Sequence, residues 1–437
     1  MLSNLLRWIG RCLLGLGVLV VVLWLAARYG PLPAAQRDAL AQLQAPLPAE
    51  GRNAFTAMYM LPYDQASAAQ RQAVVEMDLR SAPRTRLEGA PPMFVSAAQA
   101  YPRQSLPNER CRAGCLAWVR AHAAQVEDGH RSHAALHQRI AALADAGHLR
   151  SPFVADPASP MPPFQYLFDR LPVHALAHVQ GRTEEALQGV CTDVRTGRML
   201  IAQGDTLMAA MLGAALVEHS TGLFAEMLAE LPASHPVPAQ CRIAFAAPAV
   251  EEISLCAPLH GEAAFLRGFL SLSRTPGAWL LLDERRTLAR AALPSAQSCS
   301  PARARLLAED LPVPVTPPPR RGWDCLANPV GCALVDIAPP TYTPQLRRAQ
   351  DTGAALRLAA LLLWLREQPI RSGADLQAAL QHVPAAVRSG QRPIQWQRED
   401  HALQVPRHAP AGLDGPADGA ATFVRLPLPP LAAWEQP

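Results

Sequence analysis

Residues Leu13 to Ala27, LLGLGVLVVVLWLAA, form a run of 15 residues without a charge, placed close to the first residue. Such a run has no stable place on a water-facing surface, so the rest of the chain is read as lying on one side of a membrane. A spanning helix needs about 20 apolar residues to cross about 30 Å of hydrocarbon. The run reaches that length if Trp8, Ile9 and Gly10 join it and Arg11 snorkels to the headgroups. Membrane contact is therefore assigned to residues 8–27, with Trp8 and Trp24 as interface anchors. A cleaved signal peptide is the competing reading. It has the basic start (Arg7, Arg11), but Leu25-Ala26-Ala27 puts leucine where a small residue is wanted. Arg7, Arg11 and the terminal amine precede the run, and Arg28 and Arg37 follow it. That bias is slight, and it favours a cytoplasmic N-terminus.

All 40 basic residues are arginine, and the chain contains no lysine. This excludes a P-loop lysine, a Schiff-base or pyridoxal lysine, a kinase strand lysine and a Ser-x-x-Lys pair. Arginine stays protonated and cannot serve as the nucleophile. The net charge of +4 comes with no basic stripe, so no nucleic-acid partner is expected.

Nine cysteines occur. Cys12 lies at the membrane edge, and Cys111, Cys115, Cys191, Cys241, Cys256, Cys299, Cys325 and Cys332 lie beyond it. An even set beyond an export signal predicts disulfides in an oxidising compartment. Short-range pairing predicts Cys111–Cys115, Cys241–Cys256 and Cys325–Cys332. No Cys-x2-Cys pair exists, which argues against a structural zinc site. With the cytoplasmic N-terminus this gives a single-pass protein of a bacterial inner membrane, its bulk periplasmic or otherwise extracytoplasmic.

The expected fold is mainly α, an N-terminal transmembrane helix followed by an extracytoplasmic helical body with a small C-terminal β-hairpin. Residues 1–29 are tail and anchor, and residues 30–52 a Pro-rich stalk. Residues 53–165 are a Pro-rich and helical subdomain carrying Cys111 and Cys115, with a helical break near Asp128-Gly129. Residues 166–300 are a helical domain. Thr183 with Glu184 and Glu185 marks one helix start. The apolar LMAAMLGAALV after Asp205-Thr206 is a buried helix rather than a second span. Residues 301–344 read as a Pro-rich loop closed by Cys325 and Cys332. Residues 345–437 hold a long helix to about Glu367, a short helix over 374–380, a hairpin and an irregular tail. The hairpin alternates at Ile394, Trp396, Leu403 and Val405, and one further strand is possible at 422–426.

His122, His130, His133 and His137 form a stripe on a helical template and are the weak metal or haem candidates. The same face carries Val119, Val126 and Ile140, so buried structural histidines are the plainer reading. His174 and His178 are four apart without a His-Glu-x-x-His motif. The doublets Glu184-Glu185, Glu251-Glu252 and Asp283-Glu284 suit capping and solvated faces as well as a glycosidase pair. No Gly-x-Ser-x-Gly elbow occurs. Trp118, Trp279 and Trp364 read as core, while Trp323, Trp396 and Trp434 could form an interaction surface. No cofactor and no catalytic residue is assigned. Three functional readings follow: a non-enzymatic binding or assembly component working with other envelope proteins, an envelope-directed hydrolase using His and carboxylate groups, and metal or haem binding by the histidine stripe.

Overall fold

The structure is a computed structural model describing residues 2–63, 67–85, 114–155, 159–272, 277–388, 390–409 and 422–430. It is mainly helical, with a small antiparallel sheet near the C-terminus. The longer helices are α1 (Leu2–Tyr29), α2 (Ala34–Gln44), α3 (Ala68–Thr85), α4 (Cys115–Ala121), α5 (Ala123–Ala141), α6 (Leu171–Val179), α7 (Thr183–Gln203), α8 (Leu207–Ala229), α9 (Cys256–Leu272), α10 (Glu284–Ser298), α11 (Pro301–Ala308), α12 (Pro329–Leu365) and α13 (Gly373–Gln381).

Helix α1 is continuous and apolar enough to span a membrane. Leu13, Leu14, Leu16 and Val18 to Val22 are exposed along it, an apolar surface that needs cover. The body grips its C-terminal end. Arg28 lies 3.5 Å from Asp283 and donates to the Leu282 carbonyl at 3.2 Å, while Arg286 donates to the carbonyls of Arg28 (3.2 Å) and Gly30 (2.6 Å). The Trp24 and Trp279 rings meet edge to face at 5.9 Å. Trp279 is thus a correction to the core reading: 55% of it is exposed.

The Pro-rich segment after α1 is not a free stalk. Pro33 precedes α2, and Ala39 and Leu43, on one helical face, pack on Ala292 and Ala296 of α10. Burying a leucine of this kind is worth about 2 kcal/mol, which holds the segment down.

Helices α7 and α8 form the centre. They cross at Gly197 and Gly213, where a methyl group on either would come within 2.8 Å of the other's carbonyl oxygen. Helix α8 is apolar all round because it faces two hydrophobic clusters at once. Ala210, Ala214 and Val217 belong to the larger cluster, and Ala209 and Leu216 to the one built around Phe55, Leu136 and Phe164. Most of its most apolar stretch is buried within the body, as a core helix requires.

Helix α12 begins at Pro329, which suits a first turn, and runs on through Pro344 to Leu365. The region expected to be loop up to residue 344 is therefore partly helix. The stripe Cys332, Val335, Leu346 and Ala349 is buried, and that packing outweighs the backbone bond that proline cannot make. Residues 301–308 are helical as well, as α11.

Strands β1 (Arg52–Asn53) and β2 (Ala146–His148) pair in parallel. The expected hairpin is β3 (Gln395–Gln397) and β4 (Ala402–Pro406), with Trp396 opposite Leu403. A third strand, β5 (Phe423–Pro427), pairs antiparallel with β4, setting Val405 opposite Val424. A buried ionic cluster ties this sheet to α12. Arg392 donates to both Asp310 oxygens at 2.7 Å and to Asp351 at 2.6 Å.

Three cysteine pairs lie at disulfide distance: Cys191–Cys241 at 1.99 Å, Cys256–Cys299 at 2.06 Å and Cys325–Cys332 at 2.03 Å. The pairing Cys241–Cys256 is corrected. The short helix Ala239–Ala244 carries Cys241 to the side of α7, while α9 and α10 pack so that the start of one meets the end of the other. Cys115 is disulfide-bonded. Cys111, and with it the expected Cys111–Cys115 bond, lies outside the described residues, as does Trp434. Cys12 is a free, exposed thiol on α1.

Candidate functional site

The histidine stripe is divided by the fold. His122 falls between α4 and α5, where its Nδ1 pairs with the Trp118 carbonyl at 2.8 Å and its ring stacks on Trp118. Gly129 is helical, so the expected break is absent there. The irregular residue is His133, whose Nδ1 pairs with the Gly129 carbonyl at 2.8 Å. His130 and His137 do come together, their Nδ1 atoms 3.0 Å apart. One ring must donate and the other accept, so at least one of these nitrogens is protonated. His137 is buried, and burial pushes its pKa down to about 3, helped by His130 and Arg170 nearby. These rings form a neutral, hydrogen-bonded pair beneath α6.

His174 and His178 point to different partners. His174 is enclosed, and its ring fills the space left by Gly189, where a methyl group would sit 2.2 Å from it. Its Nε2 meets Asp193 at 2.9 Å, and Arg170 holds the other oxygen of that carboxylate. His178 lies between Glu230 and the Thr183 hydroxyl, each at 3.2 Å. The acidic doublets are separated too. Glu185 pairs with Arg182 at 2.6 Å, Glu252 is held by Arg198, and Asp283 accepts from the Arg286 N–H at the start of α10.

Among the described residues, two groups place three potential metal ligands within 4.8 Å: Cys256, His260 and Cys299, and Asp324, Cys325 and Cys332. In both groups the two sulfurs are joined to each other, so no thiolate is left to bind an ion.

Among the described residues, one feature with the dimensions of a ligand site is a cleft of about 470 Å³. This is within the range of small-molecule pockets. It lies among the end of α2, the segments 150–155 and 159–164, the start of α8 and one face of α9. Leu43, Leu47, Phe55, Phe153, Met161, Phe164, Ala264 and Phe265 line it. The polar groups at its floor are Arg150, Ser151, Asp205, Thr206 and His260.

Local sequence explains the floor. Thr206 caps α8 by accepting from the Ala209 N–H at 3.1 Å. Glu262 reaches from α9 to the Leu207 N–H at 2.9 Å, and Asp205 takes the Ser151 N–H at 2.5 Å. Both carboxylates thus sit where a helix start favours negative charge. Burial raises the pKa of each. Gly261 is required here, since a methyl group would lie 1.5 Å from the Asp205 carbonyl oxygen. Arg150 donates to the carbonyls of Leu149 and Gln203. His260 differs from its neighbours. Burial lowers its pKa, its ring bonds the Ala45 backbone, and its Nδ1 is enclosed with no partner among the described residues.

None of these cleft residues formed a motif. Asp205-Thr206 was legible as a helix start, but Phe153, Met161 and Phe164 stand in a Pro-rich segment without periodicity, and His260 is 55 residues from Asp205. Compared with family models, curated proteins and solved structures, the chain matches none.

Proposed function

We propose that this chain is a membrane-anchored envelope component that binds an amphipathic ligand, an extended apolar chain with one polar head, in the cleft beside His260. The observation that carries this reading is the division of labour in the cleft. Its walls are apolar and aromatic, while Arg150 and one oxygen of Asp205 are engaged with main-chain groups. Hydrophobic walls supply affinity, and the His260 ring, which lines the cleft and whose Nδ1 becomes available when the ring turns, supplies the polar contact that orients the head. A general acid or base would need a carboxyl group free to face a substrate. In this reading α1 is retained in the inner membrane, the body stands in the periplasm with its disulfides oxidised, and other envelope proteins deliver or receive the ligand.

The test uses the full-length chain in amphipol and a fatty acid carrying a diazirine. Irradiation should place cross-links on cleft residues such as Met161 and Phe265. Unlabelled fatty acid should compete them away, and Ala264→Trp, which fills the cleft, should abolish them. His260→Phe should weaken binding by roughly five- to tenfold, the worth of one hydrogen bond. Cross-links confined to α1, or insensitive to Ala264→Trp, would refute the proposal. Hydrolysis of an ester analogue that Ala264→Trp abolishes would replace binding by catalysis.

A further inference from the structure

Outside α1, fourteen large hydrophobic side chains are exposed among the described residues. Six of them, Trp279, Leu280, Leu281, Trp323, Leu326 and Val330, come from two short segments that meet at the end of α1. The single-turn helix Ala278–Leu280 carries the first group, and the turn Trp323–Leu326 with the start of α12 carries the second. The Val330 N–H joins them by donating to the Leu281 carbonyl at 3.1 Å. Arg28 of α1 reaches the carbonyls of Leu282 and Ala327, one behind each segment. Trp323 is 71% exposed, and exposed apolar side chains concentrated in one place mark an interaction surface.

We propose that this face is a membrane-docking surface: the body lies down on the bilayer from which α1 emerges, with Trp279 and Trp323 seated in the headgroup region. The spacing along α1 commits the occupant to lipid. The span over residues 8–27, with Arg11 snorkelling, rises about 30 Å along α1, the thickness of the hydrocarbon layer. That match sets the Arg28 end of α1 at the bilayer surface. Trp24 lies four residues inside Arg28, about 6 Å deeper, and Trp279 packs on it. The cluster therefore lies at the depth where indole rings are enriched. The exposed Arg320 lies near Trp323 and suits a phosphate headgroup, while Arg321 beside it pairs with Asp336 at 2.8 Å. The inference rests on α1 spanning the bilayer and is independent of the cleft ligand.

Brominated lipids quench nearby tryptophans and test the proposal. The full-length chain with Trp8→Phe and Trp24→Phe is reconstituted into nanodiscs of phosphatidylcholine brominated high on its acyl chains. Proteolysis of an N-terminal tag from one side first establishes that α1 spans. Fluorescence should be quenched relative to unbrominated discs, and adding Trp279→Phe and Trp323→Phe should remove most of that quenching. Far-ultraviolet circular dichroism confirms that each variant is folded. No quenching in a chain whose α1 spans, or quenching that survives both further substitutions, overturns the docking face. If the tag shows no spanning, the membrane reading of α1 itself fails.

Discussion

The three disulfides whose cysteines all lie among the described residues close loops of very different length, which turns the cysteine map into a ranked prediction. Cys191–Cys241 spans 50 residues, Cys256–Cys299 spans 43 and Cys325–Cys332 spans 7. On the chain-entropy account, closing these loops removes roughly 4, 4 and 2.4 kcal/mol of unfolded-state freedom at 25 °C. Cys191 and Cys241 are also fully enclosed. Replacing both by alanine leaves a small cavity and adds about 1 kcal/mol to that pair. The double variants Cys191→Ala/Cys241→Ala, Cys256→Ala/Cys299→Ala and Cys325→Ala/Cys332→Ala should therefore lose stability in that order. Guanidinium unfolding followed by tryptophan fluorescence reads the midpoints at constant slope. Equal losses, or the largest loss at Cys325–Cys332, would refute the loop argument. The same variants report the side of the membrane. Thiol trapping in intact cells should find the wild-type pairs oxidised, and a reduced wild-type chain would contradict a periplasmic body.

Two other perturbations read the centre of the molecule. Gly213→Ala places a methyl group 2.7 Å from the Gly197 carbonyl oxygen and should cost about 1–3 kcal/mol by forcing α7 and α8 apart. Gly222→Ala on the same helix meets nothing within 4 Å and should be neutral or stabilising by up to about 1 kcal/mol; equal effects in guanidinium melts would remove the close crossing from the argument. His137 is held down to about pKa 3 chiefly by burial, then by His130, Arg170, His133 and His174. The unfolded chain binds that proton near pH 6.5, so stability is full above pH 6.5 and declines as pH falls toward 3. At pH 5 this site costs on the order of 2 kcal/mol. Melting curves at pH 7 and pH 5 should differ less in His137→Leu than in wild type; an unchanged difference would place the titration elsewhere.

Local signals survived folding where one rule acted alone. The acidic first turn of α7, the apolar α8, the short α13 and the alternation of β3 and β4 all follow from patterns a few residues long, although Thr183 is the first residue of α7 and Arg182, not Thr183, stands at its cap. The signals failed where tertiary packing overrode them. Prolines between 329 and 344 read as loop, yet buried contacts on either side carry α12 through them. Short-range pairing joined Cys241 to Cys256, but neighbours in sequence lie on helices with other partners. Spacing put four histidines on one face, and the turn at His122 removed one of them. The cleft was hidden for a related reason. Its walls come from segments that share no spacing, and long-range contacts such as Gly261 on Asp205 and Asp205 on the Ser151 N–H bring them together.

Helix α2 connects the proposed membrane face to the proposed ligand site. It leaves α1 at Gly30, which Arg286 fixes, and ends at Leu43 in the cleft wall. Three residues of extended chain span about 10 Å and the helix to Leu43 about 14 Å, so this wall lies within roughly 25 Å of the end of α1. The path is held along its length, since Ala39 and Leu43 pack on α10, the helix whose first turn clamps Arg28. A flexible stalk would let the cleft wander over a range of heights and orientations. A docked α2 sets one height, near enough to the lipid for an apolar chain to pass between bilayer and cleft with little exposure to water. Loosening α2 separates the two roles. Ala39→Asp, which disrupts the packing of α2 on α10 at a residue outside the cleft lining, should leave α1 inserted and the indoles of Trp279 and Trp323 quenched by brominated lipid, while cross-linking in the cleft declines. Undiminished cross-linking would show that the cleft does not depend on α2, and the coupling argued here would fail.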